Sequence, residues 1–434
     1  MYGRPGMRRE RIETDQAFFA ERIAGRPSGL RRSLPRARAL APHLGVDLDG
    51  WRAHPERVVT VVGSKGKGTA ATFASAALAA GRLRVGTLTS PGLRSNRERI
   101  RVDGAAIARP DYEALVTRVA STLRRVSGSL PDDGYISPSG LFTLSALRHF
   151  TDRGCDAVVL EAGMGGASDE VSLVAPAAVV VTAVLAEHLG VLGDSVGAIA
   201  AEKAGVVTDA TRDVIAAVQQ DPAADAAVRE AARAHGCGYH PDRGESGPEA
   251  GNGPLPSVPG LGAVNARLGL TAANLLLAAG GRPVPHPAVL EEVLGSVRLP
   301  GRLSQHRRGD QIWIVDCATN PGAIAAALAH TAATAGPLSS VLSFIPRHRD
   351  ATPLLEALRG QPLVAVPGGP PAGVPGAGAV MRLEAINLDA LGPLVLALGP
   401  VYFVGELLAT LGVDCERSFS PPSPQPGRAR APRG

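Results

Sequence analysis

Seven consecutive residues concentrate most of the chemistry that can be read before any fold is known. They are Gly63, Ser64, Lys65, Gly66, Lys67, Gly68 and Thr69, directly after the apolar run VVTVV. Glycines let successive backbone N–H groups turn toward phosphate oxygens, and a helix starting here adds the positive end of its dipole. Lys67 would reach the terminal phosphates and Thr69 would sit beside Mg²⁺. The spacing is shorter than in the common G-x-x-x-x-G-K-[ST] loop, and Gly68 separates Lys67 from Thr69. A strand–helix turn that binds nothing would need the glycines but neither the two lysines nor the threonine. The expectation is a triphosphate cradle.

The elements around the cradle read as an α/β chain. Short β-branched runs alternate with Ala/Leu-rich stretches, the mark of a parallel sheet. RVVTVVG, RVGTLT, CDAVVLEAG, PAAVVVTAVL and DVIAAV read as strands, with helices over 67–80, in SPSGLFTLSALRHFTD and in SVGAIAAEKAG. RGESGPEAGNGPLPSVPG, at 243–260, has no periodicity and reads as a connector. TAANLLLAAG and AVLEEVLGSV then read as helices. A second series follows: QIWIVD, GAIAAALAHTAAT, SVLSFI, LLEAL, PLVAV and VYFVG. The predicted fold class is a P-loop ATPase domain with a central, mainly parallel sheet, over 1–297, plus a smaller Rossmann-like α/β domain over 298–418. A disordered basic tail is expected over 419–434.

Composition narrows the partners. The chain has 434 residues, 45% of them hydrophobic, with no apolar run long enough to span a membrane. Its charged start lacks the apolar core of a secretory signal, and its four scattered cysteines fit free thiols in a reducing cytoplasm. The net charge of +5 owes much to arginine-rich ends, which read more simply as solvated tails than as nucleic-acid contacts. With 3% aromatic residues there is no evident stacking platform for single strands. Small molecules are the expected partners, and nothing in the composition argues against a monomer.

Beyond the loop, several stretches resemble the folylpolyglutamate synthase/dihydrofolate synthase family of the Mur ligase superfamily. GSKGKGT is similar to that family's GTNGKGS, and TSPGLRSNRERIRVDG to its TSPHLxxxxERIRxxG. EAGMGGASDEVSLV resembles EVGLGGRLDATNIV, and AEHLGVLGDSVGAIAAEKAGVV resembles LDHxxxLGxxxxxIAxEKAGI. PGR at 300–302, DCATNPGA at 316–323 and GELL at 405–408 follow in family order. The resemblance implies a Mur-ligase-like fold and an ATP-dependent carboxylate–amine ligase. A carboxylate would attack the γ-phosphate of ATP, and an amino-acid amine would then displace phosphate from the acyl phosphate. It also implies roles for single residues. Lys65, Gly66, Lys67 and Gly68 cradle the triphosphate, Ser90 ligates Mg²⁺, and His188 with Glu187 forms a metal site. Lys203 would be a carbamate, Arg302 would meet phosphate, Asp316 the ribose, and Asn274 ATP near the linker. Lys67, His188 and Lys203 are the expected catalytic groups. Without the resemblance, Ser90 reads equally well as a loop cap, His188 as a structural residue, and Lys203 as a helix-surface lysine.

Four departures sit in the active-site motifs. The family's TYFExxTLSAL becomes SPSGLFTLSAL, so Gly140 stands where a metal-binding carboxylate is expected. Thr319 and Gly92 replace histidines, and Ala167-Ser168-Asp169-Glu170 replaces RLDA, leaving Ser168 and Asp169 as the expected acyl-substrate contacts. Two readings follow. One is a ligase with a non-folate substrate, of the kind met in specialised metabolism. The other is a nucleotide-binding paralogue that has become a scaffold or regulator.

Overall fold

The computed structural model describes residues 15–21, 31–242, 244, 261–346, 350–368 and 383–423. The first body is built on eight strands: β1 (Val58–Val62), β2 (Val85–Leu88), β3 (Ile100–Val102), β4 (Ala105–Ala106), β5 (Ala157–Glu161), β6 (Ala178–Val181), β7 (Asp213–Ala216) and β8 (Gly238–Pro241). Their order is β4-β3-β2-β5-β1-β6-β7-β8, parallel from β2 to β8 and closed on one edge by the antiparallel β3 and β4. The central strands are buried from end to end, which is why they read as continuous apolar runs rather than alternating ones.

Helices cover both faces. The longer ones are α1 (Lys67–Ala80), α2 (Arg109–Val126), α3 (Pro138–Asp152), α4 (Val196–Ala204), α5 (Pro222–Ala234), α6 (Leu261–Ala279) and α7 (Pro287–Gly295). Helix α1 buries twelve of its fourteen residues, because it is sandwiched between the sheet and α6. Its alanines let α6 come so close that a Cβ on Gly269 would lie 2.3 Å from the Ala70 carbonyl. The opposite face is filled from α2, α3 and the helical turn over 15–21, whose Phe18 stacks on Phe142 at 4.0 Å.

The second body holds β9 (Ser304–Arg308), β10 (Gln311–Asp316), β11 (Ser340–Pro346), β12 (Leu363–Gly368) and β13 (Leu394–Leu398), in the order β12-β11-β13-β10-β9 with only β9 antiparallel. Helices α8 (Pro321–Thr334) and α9 (Val401–Thr410) contribute to its two apolar layers. VYFVG opens α9 rather than adding a strand. The strand before it, LVLAL, is absent from the expected series, since a leucine-rich run with a single β-branched residue suits helix and strand alike. The expected connector at 243–260 lies, apart from Gly244, outside the described residues.

After α9 the chain returns to the first body. Ala106 N donates to Glu416 O at 2.7 Å, Ser418 N to Gly104 O at 2.9 Å, and Arg298 N to Ser418 O at 2.7 Å. Arg101 grips the same segment through the Cys415 and Glu416 carbonyls. Phe419, the first residue of the expected tail, is instead 1% exposed and belongs to the core under α1 and α6. Residues 424–434 of that tail lie outside the described residues. Replacing a fully buried phenylalanine by alanine removes its transfer energy and leaves a cavity. Phe419→Ala is expected to lower the unfolding free energy by about 3–5 kcal/mol, read from urea denaturation of the full chain.

Candidate active site

The cradle lies at the carboxyl end of β1, where strand order reverses and open α/β sheets form their ligand crevice. Gly63 adopts φ +131°, and a Cβ there would fall 2.0 Å from Thr182 Oγ1, so only glycine fits the turn. Ser64 N donates to Ala183 O at 2.8 Å, and Ser64 Oγ accepts from Leu185 N at 3.0 Å, which pins the loop to the segment after β6. Lys65 N reaches the same Ala183 carbonyl. Gly66, at φ +91°, leads into α1, so the N–H groups of Lys67, Gly68 and Thr69 fall in a first turn that has no preceding carbonyls to bond. Thr69 is 4% exposed there.

Two ammonium groups meet behind this turn. Lys67 Nζ and Lys203 Nζ each donate to the Gly63 carbonyl at 2.9 Å. Lys203, on α4, is 1% exposed and also reaches Glu187 Oε1 at 3.3 Å. Burial first, and the Lys67 charge second, hold its amine below the ordinary lysine range, against the pull of Glu187. The helix-surface reading of Lys203 is therefore excluded. Glu187 keeps its carboxylate on this amine, while His188 stands exposed in the same loop at φ +53°.

The carboxylate that faces the cradle is one the sequence left without a role. Glu161 ends β5, beside β1, and is 5% exposed. Its Oε2 accepts from Ser90 N at 2.9 Å and lies 3.4 Å from where a Cβ on Gly68 would be. Burial raises its pKa above the usual carboxylate range, while the charges of Lys67, Arg302 and Arg99 and the Ser90 N–H pull it back. Ser90 Oγ accepts from Arg99 Nη1 at 2.8 Å. A charged residue ending an otherwise apolar strand, just ahead of a glycine turn, was the signal available in LEAGMGG. Glu161 and Ser90 together offer hard oxygen donors that fit Mg²⁺. Among the described residues no three His, Cys, Asp or Glu side chains gather as a metal site, so His188 and Glu187 do not complete one with Glu161.

The second body contributes Arg302, whose charge faces Cys317, Asp316 and Glu161. Asp316 Oδ2 accepts from Leu303 N at 2.8 Å, so its carboxylate anchors the Arg302 loop to the end of β10. On α6 it is Asn265, 6% exposed, that overlies the cradle; a Cβ on Gly66 would collide with its amide at 2.0 Å. Asn274, the expected contact, is nine residues farther along the helix, or about 13 Å at 1.5 Å per residue.

Two further expectations are corrected. Asp169 is fully buried, and its carboxylate accepts from Arg32, Met164 N and Val171 N, while Ser168 bonds Arg32 and Glu202. This pair fixes the loop after β5 to α4, and Asp169 has no face left for a substrate. The space at Gly140 holds a carboxylate after all. Glu170, also fully buried, lies 2.1 Å from a Cβ built on Gly140 and accepts from Ser137 N and Oγ. Burial, then the Asp169 charge, pushes the Glu170 carboxyl up to about 7.

The middle of the chain matches the Mur ligase middle domain over residues 61–245. The chain is 30% identical over 211 residues to the dihydrofolate synthase/folylpolyglutamate synthase of Bacillus subtilis, an alignment spanning 48% of this chain and 46% of that protein. It is 29% identical over 329 residues to the Mycobacterium tuberculosis protein described in the same words, spanning 69% of this chain and 66% of that one. The chain thus spans about half the length of the first of these relatives. Among solved structures, the apo form of L. casei FPGS superposes with a TM-score of 0.76 at 22% identity, over 92% of this chain and 99% of that one. An FPGS–AMPPCP–folate complex gives 0.72 at 24% identity over the same shares. At these identities the structures establish the fold.

Because the folded carboxyl of Glu170 titrates near 7 and an ordinary one near 4.5, the native state keeps a proton that the unfolded chain releases. Its contribution is fully present below about 4.5 and lost as pH rises through about 7. Glu170→Gln removes that loss. The stability of E170Q relative to the parent is expected to rise by about 1–3 kcal/mol between pH 5 and pH 8, read from denaturation at each pH.

Proposed function

We propose that the chain, which is similar to the folylpolyglutamate/dihydrofolate synthases and carries a Mur ligase middle domain, is an ATP-dependent carboxylate–amine ligase acting on an acid other than folate. The observation that carries this reading is the convergence of Lys67 and Lys203 on Gly63, opposite the buried Glu161 and its partner Ser90, with Arg302 arriving from the second body.

Lys65 and Lys67 bind and orient the triphosphate, and the α1 N-terminus meets its oxygens. Ser90 and Glu161 would hold Mg²⁺, which supplies charge neutralisation when an anionic carboxylate approaches an anionic phosphate. Arg302 stabilises negative charge gathered at the transferred phosphoryl group. The carboxylate oxygen bonds to the γ-phosphorus as the bond to the ADP oxygen breaks. The amine nitrogen then bonds to the acyl carbon, phosphate leaves and the amine gives up a proton. Water must be kept out meanwhile, which a site formed between two bodies favours.

A non-folate acid is supported by the loop after β5. Ser168 and Asp169 are spent on Arg32 and Glu202, and Glu170 fills the volume above Gly140. The environment of Lys203 further supports its carbamylation, since a depressed amine reacts with CO₂ in its neutral form. The carbamate would stand beside Glu187 and so would need Lys67 or a metal ion between them.

Phosphate release should be measured with Mg·ATP over a panel of carboxylic acids, folate and dihydropteroate included, each paired with amino acids. A non-folate pair is expected to release phosphate, and Lys67→Ala to slow it about 100-fold or more. Tight Mg·ATP binding with no release for any pair would turn the reading to a nucleotide-binding scaffold. With ¹³C-bicarbonate, a carbamate resonance is expected for the parent chain that grows with pH through the depressed titration of Lys203 and is missing from Lys203→Ala.

A further inference from the structure

Arg99 has no role in the reading above, yet it stands at the centre of the metal-binding corner. Its Nη1 donates to Ser90 Oγ at 2.8 Å, and its charge acts on Glu161. The two oxygen donors that fit Mg²⁺ are therefore already served by a fixed cation. Arg99 is not free to swing away. Its Nε donates to Asn96 Oδ1 at 2.8 Å, and its guanidinium lies 4.7 Å from the centre of the Phe142 ring. Phe142 is in turn stacked on Phe18, and Asn96 donates to Asp15 Oδ2 at 2.7 Å. Asp15, Tyr112 and Glu98 also contribute to the field at the guanidinium.

Charge around Glu161 points the same way. One buried carboxylate faces Lys67, Arg302 and Arg99, and Lys67 has Lys203 close behind it on the Gly63 carbonyl. A divalent cation entering this corner alone would meet three like charges around Glu161, while Asp316 and Glu98, which also face these arginines, are held on backbone N–H groups. The triphosphate of ATP reverses that sign and brings oxygen ligands of its own.

We propose that Arg99 is a built-in counter-cation that makes metal entry at Ser90 and Glu161 conditional on nucleotide. It holds the Ser90 hydroxyl in place while the site is empty and excludes a divalent ion until the phosphates arrive. Arg99 acts through Ser90 and Glu161 and is a positioning residue. The inference rests on the metal-assisted ligase reading, and the test separates the two.

Equilibrium dialysis of the full chain against Mn²⁺, with and without AMPPCP, measures the ion held by protein. The parent is expected to retain one Mn²⁺ only when AMPPCP is present. Arg99→Gln, which keeps a donor and loses the charge, should bind Mn²⁺ without nucleotide about ten-fold or more tightly than the parent. Arg99→Lys should stay dependent on nucleotide, and Glu161→Gln should lose retention under both conditions. A purely structural role for Arg99 would lower the melting temperature without creating nucleotide-free retention. Retention by the parent without AMPPCP, within three-fold of that with it, would overturn the inference and leave the ligase reading standing. So would a folded R99Q that gains nothing. No retention by the parent with AMPPCP would overturn both. The parent comparison decides the matter even if R99Q fails to fold.

Discussion

Two positively charged amines donate to the same acceptor, the carbonyl oxygen of Gly63, and the rest of the site is arranged so that they can. Like charges at that separation repel by several kcal/mol unless anions stand close by. Glu187 stands beside Lys203, and Glu161 faces Lys67. The carbonyl can point between them only because the Gly63 backbone turns where no side chain fits, tight against Thr182. One peptide unit thereby fastens β1, the segment after β6, and α4 to a common point. That is why a loop with so much bare backbone is nevertheless held in one shape.

The second fixed element is the loop from Leu93 to Ser95. Glu98 accepts from the backbone N–H groups of Leu93, Arg94 and Ser95, a capping arrangement that leaves the carboxylate 4% exposed. Burial raises its pKa, while Arg101 and those N–H groups favour its ionised form. At one end this loop presents Ser90 to Glu161. At the other, the Leu93 carbonyl lies 2.0 Å from where a Cβ on Gly405 would be, so α9 touches it through bare backbone. The oxygen donors of the first body and the helix of the second are thus separated by a short stiffened stretch of chain.

Much of this was legible in the residues themselves. The cradle, α1 and the alternation of strands and helices follow from glycine placement and apolar periodicity, which are local properties. The failures were of register and of distance. Asn274 and Asn265 share a helix and a residue type, and only the depth at which α6 crosses α1 decides which one meets the loop. Gly140 read as a lost carboxylate, because a sequence comparison looks along the chain; in space Glu170 fills the gap from another element. Asp169 reads as a substrate contact from its motif, but in space Arg32, 137 positions away in sequence, lies against it. Glu161 is invisible to periodicity, since a terminal glutamate of a buried strand has no periodic signature. LVLAL carries no clear signal either, since leucine leaves strand and helix undecided.

The returning segment at 415–419 has a mechanical meaning. The second body leaves the first near Arg298 and rejoins it at Cys415, and both crossings are hydrogen-bonded to each other through Ser418. A body moored at two neighbouring points turns about the line that joins them and cannot swing as though hung from a single thread. Arg302 lies just beyond one mooring, beside Cys317 and facing Glu161, so its position against that carboxylate is set close to where the second body is attached. Phe419, lodged in the core beyond the second mooring, is what keeps that axis in place.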